Sequence, residues 1–234
     1  MATAIQNVVH PDEVDPQVEG GAEIRTTFDE RNGSPQLRQR IVRFRRGRSD
    51  SRRLDGQQEI LYVVSGRGTL ELDGDRHRLA PGTGVFIASG ETYAIEADED
   101  LELVSVLTPR EAGPIPAGRK VTVPFEEKEE LEASVERTFR CLIDRDAGCD
   151  DVTQFVGIVQ PSKVAFHSHP YDEVGYIIEG KGVAYFDEGE TPLRAGSCFH
   201  LAPGQMHIIE NSGPGSMRIL GVFHPTGSPA DRNG

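Results

Sequence analysis

The chain has 234 residues, 25 of them basic and 38 acidic, for a formal net charge of -13. That length suits one large or two small domains, and the negative field works against nucleic acid and anionic membrane as partners. No apolar run approaches the roughly 20 residues that cross a bilayer, and the opening MATAIQNVVHPDEVDPQVEGG lacks a basic start followed by an apolar stretch, so a soluble cytoplasmic protein without a secretory signal is expected.

Residues 1–36 read as an N-terminal arm, loosest over the first 25. From 37 to 109, short segments rich in Val, Ile, Leu and Tyr alternate with turns, the pattern of a small barrel or sandwich. A basic stripe opens this stretch: Arg38, Arg40, Arg43, Arg45, Arg46, Arg48, Arg52 and Arg53. Its alternation places charge on one face of an edge strand. Two readings compete for it, pairing with the chain's many carboxylates or contact with an anionic ligand. Residues 110–138 form a linker, extended through four prolines from Pro109 to Pro124. The acidic run from Phe125 to Ala133 reads as a short surface helix or a solvated loop.

Residues 139–225 hold a second set of strands, expected at about 153–160, 163–169, 173–179, 182–187, 197–202, 206–211 and 217–224. Turns fall at Glu179-Gly180, Asp187-Glu188-Gly189 and Ser212-Gly213-Pro214. Residues 226–234 read as a tail. Of the three cysteines, Cys141 and Cys149 are close enough in sequence to pair, although an odd count in a reducing compartment argues for free thiols. Cys198 lies in an apolar strand, where a buried inert thiol is expected.

A shift of 114 residues lays the chain on itself. It places Glu59-Ile60-Leu61-Tyr62-Val63-Val64-Ser65-Gly66 on Glu173-Val174-Gly175-Tyr176-Ile177-Ile178-Glu179-Gly180. It also places Gly82 on Gly196, Gly90 on Gly204 and Tyr93 on His207. The chain therefore reads as two copies of one all-β unit.

The second copy carries HSHPYDEVGYIIEG over residues 167–180. His167 and His169 stand two apart, so on a strand both imidazoles leave the same face. Glu173 follows across the Pro170-Tyr171-Asp172 turn, and His207 arrives later with Asn211 beyond it. Three imidazoles and a carboxylate make a ligand set suited to Fe, Mn, Ni, Co or Zn as divalent ions.

These residues resemble the cupin superfamily, whose motifs are G(X)5HXH(X)3–4E(X)6G and G(X)5PXG(X)2H(X)3N. His167, His169, Glu173 and Gly180 match the first motif, and Gly196, Gly204, His207 and Asn211 match the second. Pro161 stands at the leading Gly of the first motif and Ala202 at the Pro of the second. The resemblance implies two tandem cupin barrels (double-stranded β-helix, or jelly roll), with one metal ion on His167, His169, Glu173 and His207. It also implies a homodimer.

In the first copy the four ligand positions fall on Arg53, Asp55, Glu59 and Tyr93. A guanidinium where a cation must sit opposes metal binding. An Arg53–Glu59 ion pair is expected there, or alternatively an anion pocket with Arg53 as clamp. Softer candidates for lining the second cavity are Phe155, Phe166, Tyr176, Cys198, Met206 and Ile209. His200 is a candidate partner behind the ligands or a proton carrier.

A divalent ion with one carboxylate ligand keeps positive charge and attracts a small anionic or chelating organic substrate. The leading expectation is an Fe(II)- or Mn(II)-dependent oxygenase of a small organic acid or aromatic compound, with Fe or Mn favoured as the metal. The alternatives are a non-redox lyase, decarboxylase or isomerase using the ion as Lewis acid, and a binding protein without turnover. The two-barrel layout resembles oxalate decarboxylases, although those commonly keep ligands in both barrels.

Overall fold

The computed structural model describes residues 7–163, 165–187 and 189–231. The described residues are almost entirely β, with four 3-10 turns as their helical elements. They build two barrels, each from a seven-stranded sheet facing a smaller one. The large sheet of the first barrel runs in the order Thr122–Pro124, Thr83–Ile87, Gln57–Ser65, Leu101–Pro109, Arg38–Phe44, Ala22–Phe28, Gln17–Glu19. That of the second runs Val8–Val9, Cys198–Leu201, Asp172–Glu179, Met217–His224, Thr153–Val159, Arg137–Ile143, Leu131–Ser134. Matched through the repeat, the two orders are the same.

The edge strands are exchanged. Val8–Val9 lies ahead of the first barrel yet pairs with Cys198 and Phe199 of the second. Thr122–Pro124 lies ahead of the second barrel yet pairs with Thr83, Gly84 and Val85 of the first. Residues 7–36, the described part of the expected arm, are therefore integrated into the barrels, and the linker is not mere spacer. The strand Ala22–Phe28 is a full member of the first barrel's large sheet, paired with Arg38–Phe44. The acidic run begins with a 3-10 turn at Phe125–Glu127 and continues as the strand Leu131–Ser134, not as an α-helix. At the other end, Tyr171 donates to the Ser228 carbonyl at 2.7 Å, which ties down part of the expected tail. The first six and last three residues, and Glu188 of the expected turn, lie outside the described residues.

Period-two alternation divides the side chains of each large sheet between two cores. In Gln57–Ser65, Ile60 and Tyr62 enter the core shared by the two barrels, while Leu61 and Val63 enter the first barrel's interior. In Asp172–Glu179, Val174 and Tyr176 face the shared core and Ile177 the second barrel's interior. A reciprocal pair of hydrogen bonds crosses between the sheets. Gln39 Nε2 donates to the Gly175 carbonyl at 3.0 Å and Gln154 Nε2 to the Leu61 carbonyl at 3.2 Å.

The glycines matched by the repeat earn their place at one tight turn. Gly66 and Gly180 have φ of +82° and +94°, and a Cβ on either would run into backbone, at Asp100 or at Met217. No other residue adopts that turn without strain.

Two strand expectations are corrected. The described residues of 163–169 form no regular strand; His167 makes an isolated bridge, as does Ser162 just before them. Pro161 and Pro170 bracket this stretch and supply no N–H to a ladder. The strand Gly189–Arg194 was not anticipated, because Pro192 reads as a breaker. It lies at a sheet edge, where proline is tolerated.

Arg38, Arg40 and Arg43 of the basic stripe lie on an interior strand, flanked by Leu101–Pro109 and Ala22–Phe28, while Arg48, Arg52 and Arg53 lie on the short strands Gly47–Arg48 and Arg52–Arg53 at the margin of the smaller sheet. Several members of the stripe pair with carboxylates: Arg43 with Glu102 at 2.6 Å, Arg45 with Asp100 at 2.5 Å and Arg48 with Glu71 at 2.8 Å. All three cysteines are free. Burial pushes the Cys141 thiol up to about 11, and the Cys149 and Cys198 thiols to about 12, so they stay protonated and inert.

Candidate functional site

In the second barrel, Glu173 is the second residue of the strand Asp172–Glu179, which lies between Cys198–Leu201 and Met217–His224. Its inward orientation follows from the parity of Ile177 on the same strand. His207 opens the strand His207–Asn211 and bridges to His167 through two backbone hydrogen bonds, of 3.2 and 3.0 Å. The His169 carbonyl accepts from Gly204 N at 2.8 Å, which ties the His-X-His segment to the turn before His207. The four residues converge on one cavity of about 90 Å³. His169, Glu173 and His207 are buried, and His167 is partly so.

The imidazoles lie close together at steep mutual angles, with ring centroids 4.6 Å apart for His167 and His207 and 5.1 Å apart for His169 and His207. Each ring places Nδ1 against a backbone carbonyl. His167 faces Ala165 O at 3.2 Å, His169 faces Tyr171 O at 2.9 Å, and His207 faces Gln205 O at 2.9 Å. A carbonyl only accepts, so each neutral ring carries its proton on Nδ1 and keeps a lone pair on Nε2.

Glu173 Oε2 lies 2.9 Å from His169 Nε2, yet off the line of a ring N–H, and that buried nitrogen has no hydrogen-bond partner. The four side chains stand side by side without closing on a point: among the described residues, no three or more His, Cys, Asp or Glu form a finished cation cage. Burial works against charge on His169, but the Glu173 carboxylate outweighs it and raises its pKa. His207 is pushed down to about 3 by burial, with the charges of His167, His169 and Arg137 adding to the effect.

Several residues around this cavity escaped sequence reasoning. Arg137 lines it and donates to the Ile209 carbonyl at 2.5 Å. Tyr171 and Phe223 form its aromatic wall with Phe155, their centroids 4.2 Å and 4.7 Å from that of Phe223. Gly221 leaves room for the Phe155 ring beside Glu173. Asp231 lines the mouth from the C-terminal segment.

Of the expected lining residues, Phe155 and Ile209 do border the cavity, while Tyr176 and Cys198 belong to the core between barrels. Phe166 is largely exposed, and Met206 is only partly buried and does not line the cavity. His200 is a correction. Alternation turns Phe199 and Leu201 inward and His200 outward, where its Nε2 meets Asp172 Oδ1 at 2.6 Å and its ring lies 5.7 Å from Phe28. It does not back the ligand rings.

The first barrel keeps only the glutamate among the four matched positions, as Glu59. Arg53 pairs with Asp55 at 2.9 Å on the surface, not with Glu59. Glu59 is buried and paired with Arg40 at 2.7 Å. Ser105 donates to the same oxygen as Arg40, and the other oxygen accepts from the Tyr93 hydroxyl at 2.7 Å. Burial opposes ionisation of Glu59, but Arg40 and Arg52 prevail and lower its pKa.

A cupin domain model matches residues 40–107 and 155–223. Among curated proteins, the chain is 33% identical over 63 residues to an oxalate-binding protein of Thermotoga maritima, covering 26% of this chain and 52% of that protein. It is 32% identical over 71 residues to an uncharacterized protein, MJ1618, of Methanocaldococcus jannaschii, covering 30% and 57%. The chain thus spans about half the length of the curated relatives it matches. Among solved structures, oxalate decarboxylase from Bacillus subtilis at pH 4.6 superposes with a TM-score of 0.76 at 15% identity, covering 96% of this chain and 78% of that one. The formate complex of Lactobacillus farciminis oxalate decarboxylase gives a TM-score of 0.78 at 15% identity, covering 97% and 89%. Two domain matches spanning most of both barrels, on a shared strand order, establish that this chain is a member of the cupin family with two tandem copies of its fold.

Proposed function

We propose that the second barrel holds one divalent transition-metal ion on His167, His169, Glu173 and His207, and acts on a small carboxylate of the oxalate class without net redox change. The observation that carries this reading is the pair of Nδ1–carbonyl contacts of the buried His169 and His207, which leaves Nε2 as the ligating atom of both rings beside the Glu173 carboxylate, with His167 in the same cavity. The donor set fits such an ion. Two donors bound at right angles at about 2.1 Å lie about 3.0 Å apart, and His169 Nε2 and Glu173 Oε2 are 2.9 Å apart. The buried His169 nitrogen without a hydrogen bond is what a ligand atom looks like before it is used. When bound, the ion supplies a Lewis acid that polarises a substrate carboxylate.

The protein's own groups supply the rest. The carbonyls of Ala165, Tyr171 and Gln205 fix the ring orientations. Arg137 adds positive charge at the cavity wall, which favours an anion. Phe155, Tyr171 and Phe223 exclude water from one side. A cavity of about 90 Å³ suits a compact acid better than an aromatic substrate. Together with relatives named for oxalate binding and oxalate decarboxylation, this favours lyase-type or binding chemistry over oxygenation.

The experiment uses metal-loaded protein with oxalate, following binding by calorimetry, carboxylate loss by product analysis and dissolved O2 by electrode. Oxalate should bind loaded but not chelator-stripped protein, and any turnover should proceed without stoichiometric O2 uptake. Oxygen consumption matched to substrate would restore the oxygenase reading. Failure of oxalate to bind the loaded protein would end the proposal.

A further inference from the structure

The first barrel has lost the three histidines of the ligand set but not its hollow. A cavity of about 400 Å³ opens beside Glu59, against about 90 Å³ in the second barrel. That is within the range of sites that take small organic molecules. Its wall is apolar, from Ile24, Val42, Leu61, Ile95 and Leu103, and its polar floor is Arg40, Arg52, Glu59 and Tyr93.

The charges on that floor do not cancel. Arg40 is committed to Glu59 at 2.7 Å and to Ser105 at 3.0 Å. Glu59 is in turn saturated by Arg40, Ser105 and Tyr93. Arg52 stands 3.8 Å from Glu59 Oε2, beyond hydrogen-bond length, with 25% of its side chain accessible. It is thus a second guanidinium beside a carboxylate already neutralised by the first. Glu19 and Asp50 also line the cavity, but both are exposed and act through solvent. Arg53 lines it as well, with its guanidinium held outward by Asp55.

We infer that the first barrel binds a small organic monocarboxylate, its carboxylate on the Arg52 guanidinium and its apolar body against Leu61, Ile95 and Leu103. A planar fork of N–H donors at the polar end of an apolar cavity selects a carboxylate over a neutral group of the same shape. This site needs no metal and is independent of the second barrel's chemistry.

Benzoate is the probe, titrated calorimetrically into full-length protein stripped of metal, with benzamide as its neutral isostere. One benzoate should bind per chain, at least tenfold more tightly than benzamide. Arg52→Met should weaken benzoate at least about tenfold, a difference of about 1.4 kcal/mol, and Ala22→Leu, which fills the cavity from its wall, should abolish binding. His207→Ala should leave it unchanged. Thermal melts identify variants that fold, and Ala22→Leu leaves the ion network intact if Arg52→Met does not. Absence of benzoate binding, equal affinity for benzamide, an unaffected Arg52→Met or loss in His207→Ala would each overturn the inference.

Discussion

Glu59 and Glu173 occupy matched places on matched strands, each with its carboxylate inside a barrel, yet their surroundings have opposite characters. Around Glu173 stand three imidazoles, and the nearest, His169, has its Nε2 2.9 Å away without a hydrogen-bond line to the carboxylate. Around Glu59 stand a guanidinium, a phenol and a hydroxyl that satisfy it completely. The same buried carboxylate is lined by imidazoles in one barrel and closed off by an internal cation in the other. A buried charge must be compensated in either case. What differs is the compensation: a guanidinium of the chain serves Glu59, and a bound ion serves Glu173 on the function proposed above.

The comparison is broken most severely at Arg40. Arg40→Met leaves Glu59 buried without its main partner and should cost about 3–5 kcal/mol of stability in urea denaturation. A loss under about 1 kcal/mol would mean that Arg52 alone neutralises Glu59. Next in size is the metal set. His207→Ala should lower metal affinity by about a hundredfold or more, roughly 2.7 kcal/mol, read as metal content after purification without added metal. The reverse change, Tyr93→His, should confer no metal on the first barrel, because Arg40 and Arg52 already hold the cation position.

Acid titration sharpens the same contrast. The pKa of Glu59 is depressed in the folded state. Its stabilising contribution is therefore full above the unfolded carboxylate value, about 4.3, and is lost as pH falls through the lower folded value. Melting temperature should fall more steeply below pH about 4 in the native protein than in Glu59→Gln. Parallel curves would remove Glu59 from the account. The smallest effect belongs to Arg53→Ala. Arg53 and Asp55 pair on the surface with side chains 57% and 75% exposed, so stability should change by no more than about 0.5 kcal/mol.

Much of this architecture is legible in sequence, because it rests on local patterns. The 114-residue shift exposes the repeat, and the His-X-His spacing with Glu173 and His207 identifies the residues that the fold brings to one cavity. Gly66 and Gly180 announce the turns they make. What was not legible depends on partners far along the chain. Arg40 and Arg52 were seen only as part of a basic stripe, since nothing local separates a guanidinium facing a barrel interior from one facing solvent. Arg53, the position matched to a ligand, drew the attention that belonged to its neighbour. His200 could not be placed without knowing the parity of its strand. Arg137 lies far in sequence from the motifs and carries no signal of its own. Val8–Val9 is two residues long, and only its distant pairing with Cys198 and Phe199 makes it a strand.

That crossed pairing bears on how the protein can be dissected. Cutting the chain between the barrels yields two fragments, each missing the border strand that the other carries. The C-terminal fragment would present Cys198–Leu201 as a raw sheet margin, an invitation to pair with a neighbouring molecule. The barrels should accordingly melt as a single cooperative body, and clipping the first ten residues should injure the barrel nearly two hundred positions downstream rather than the one next door.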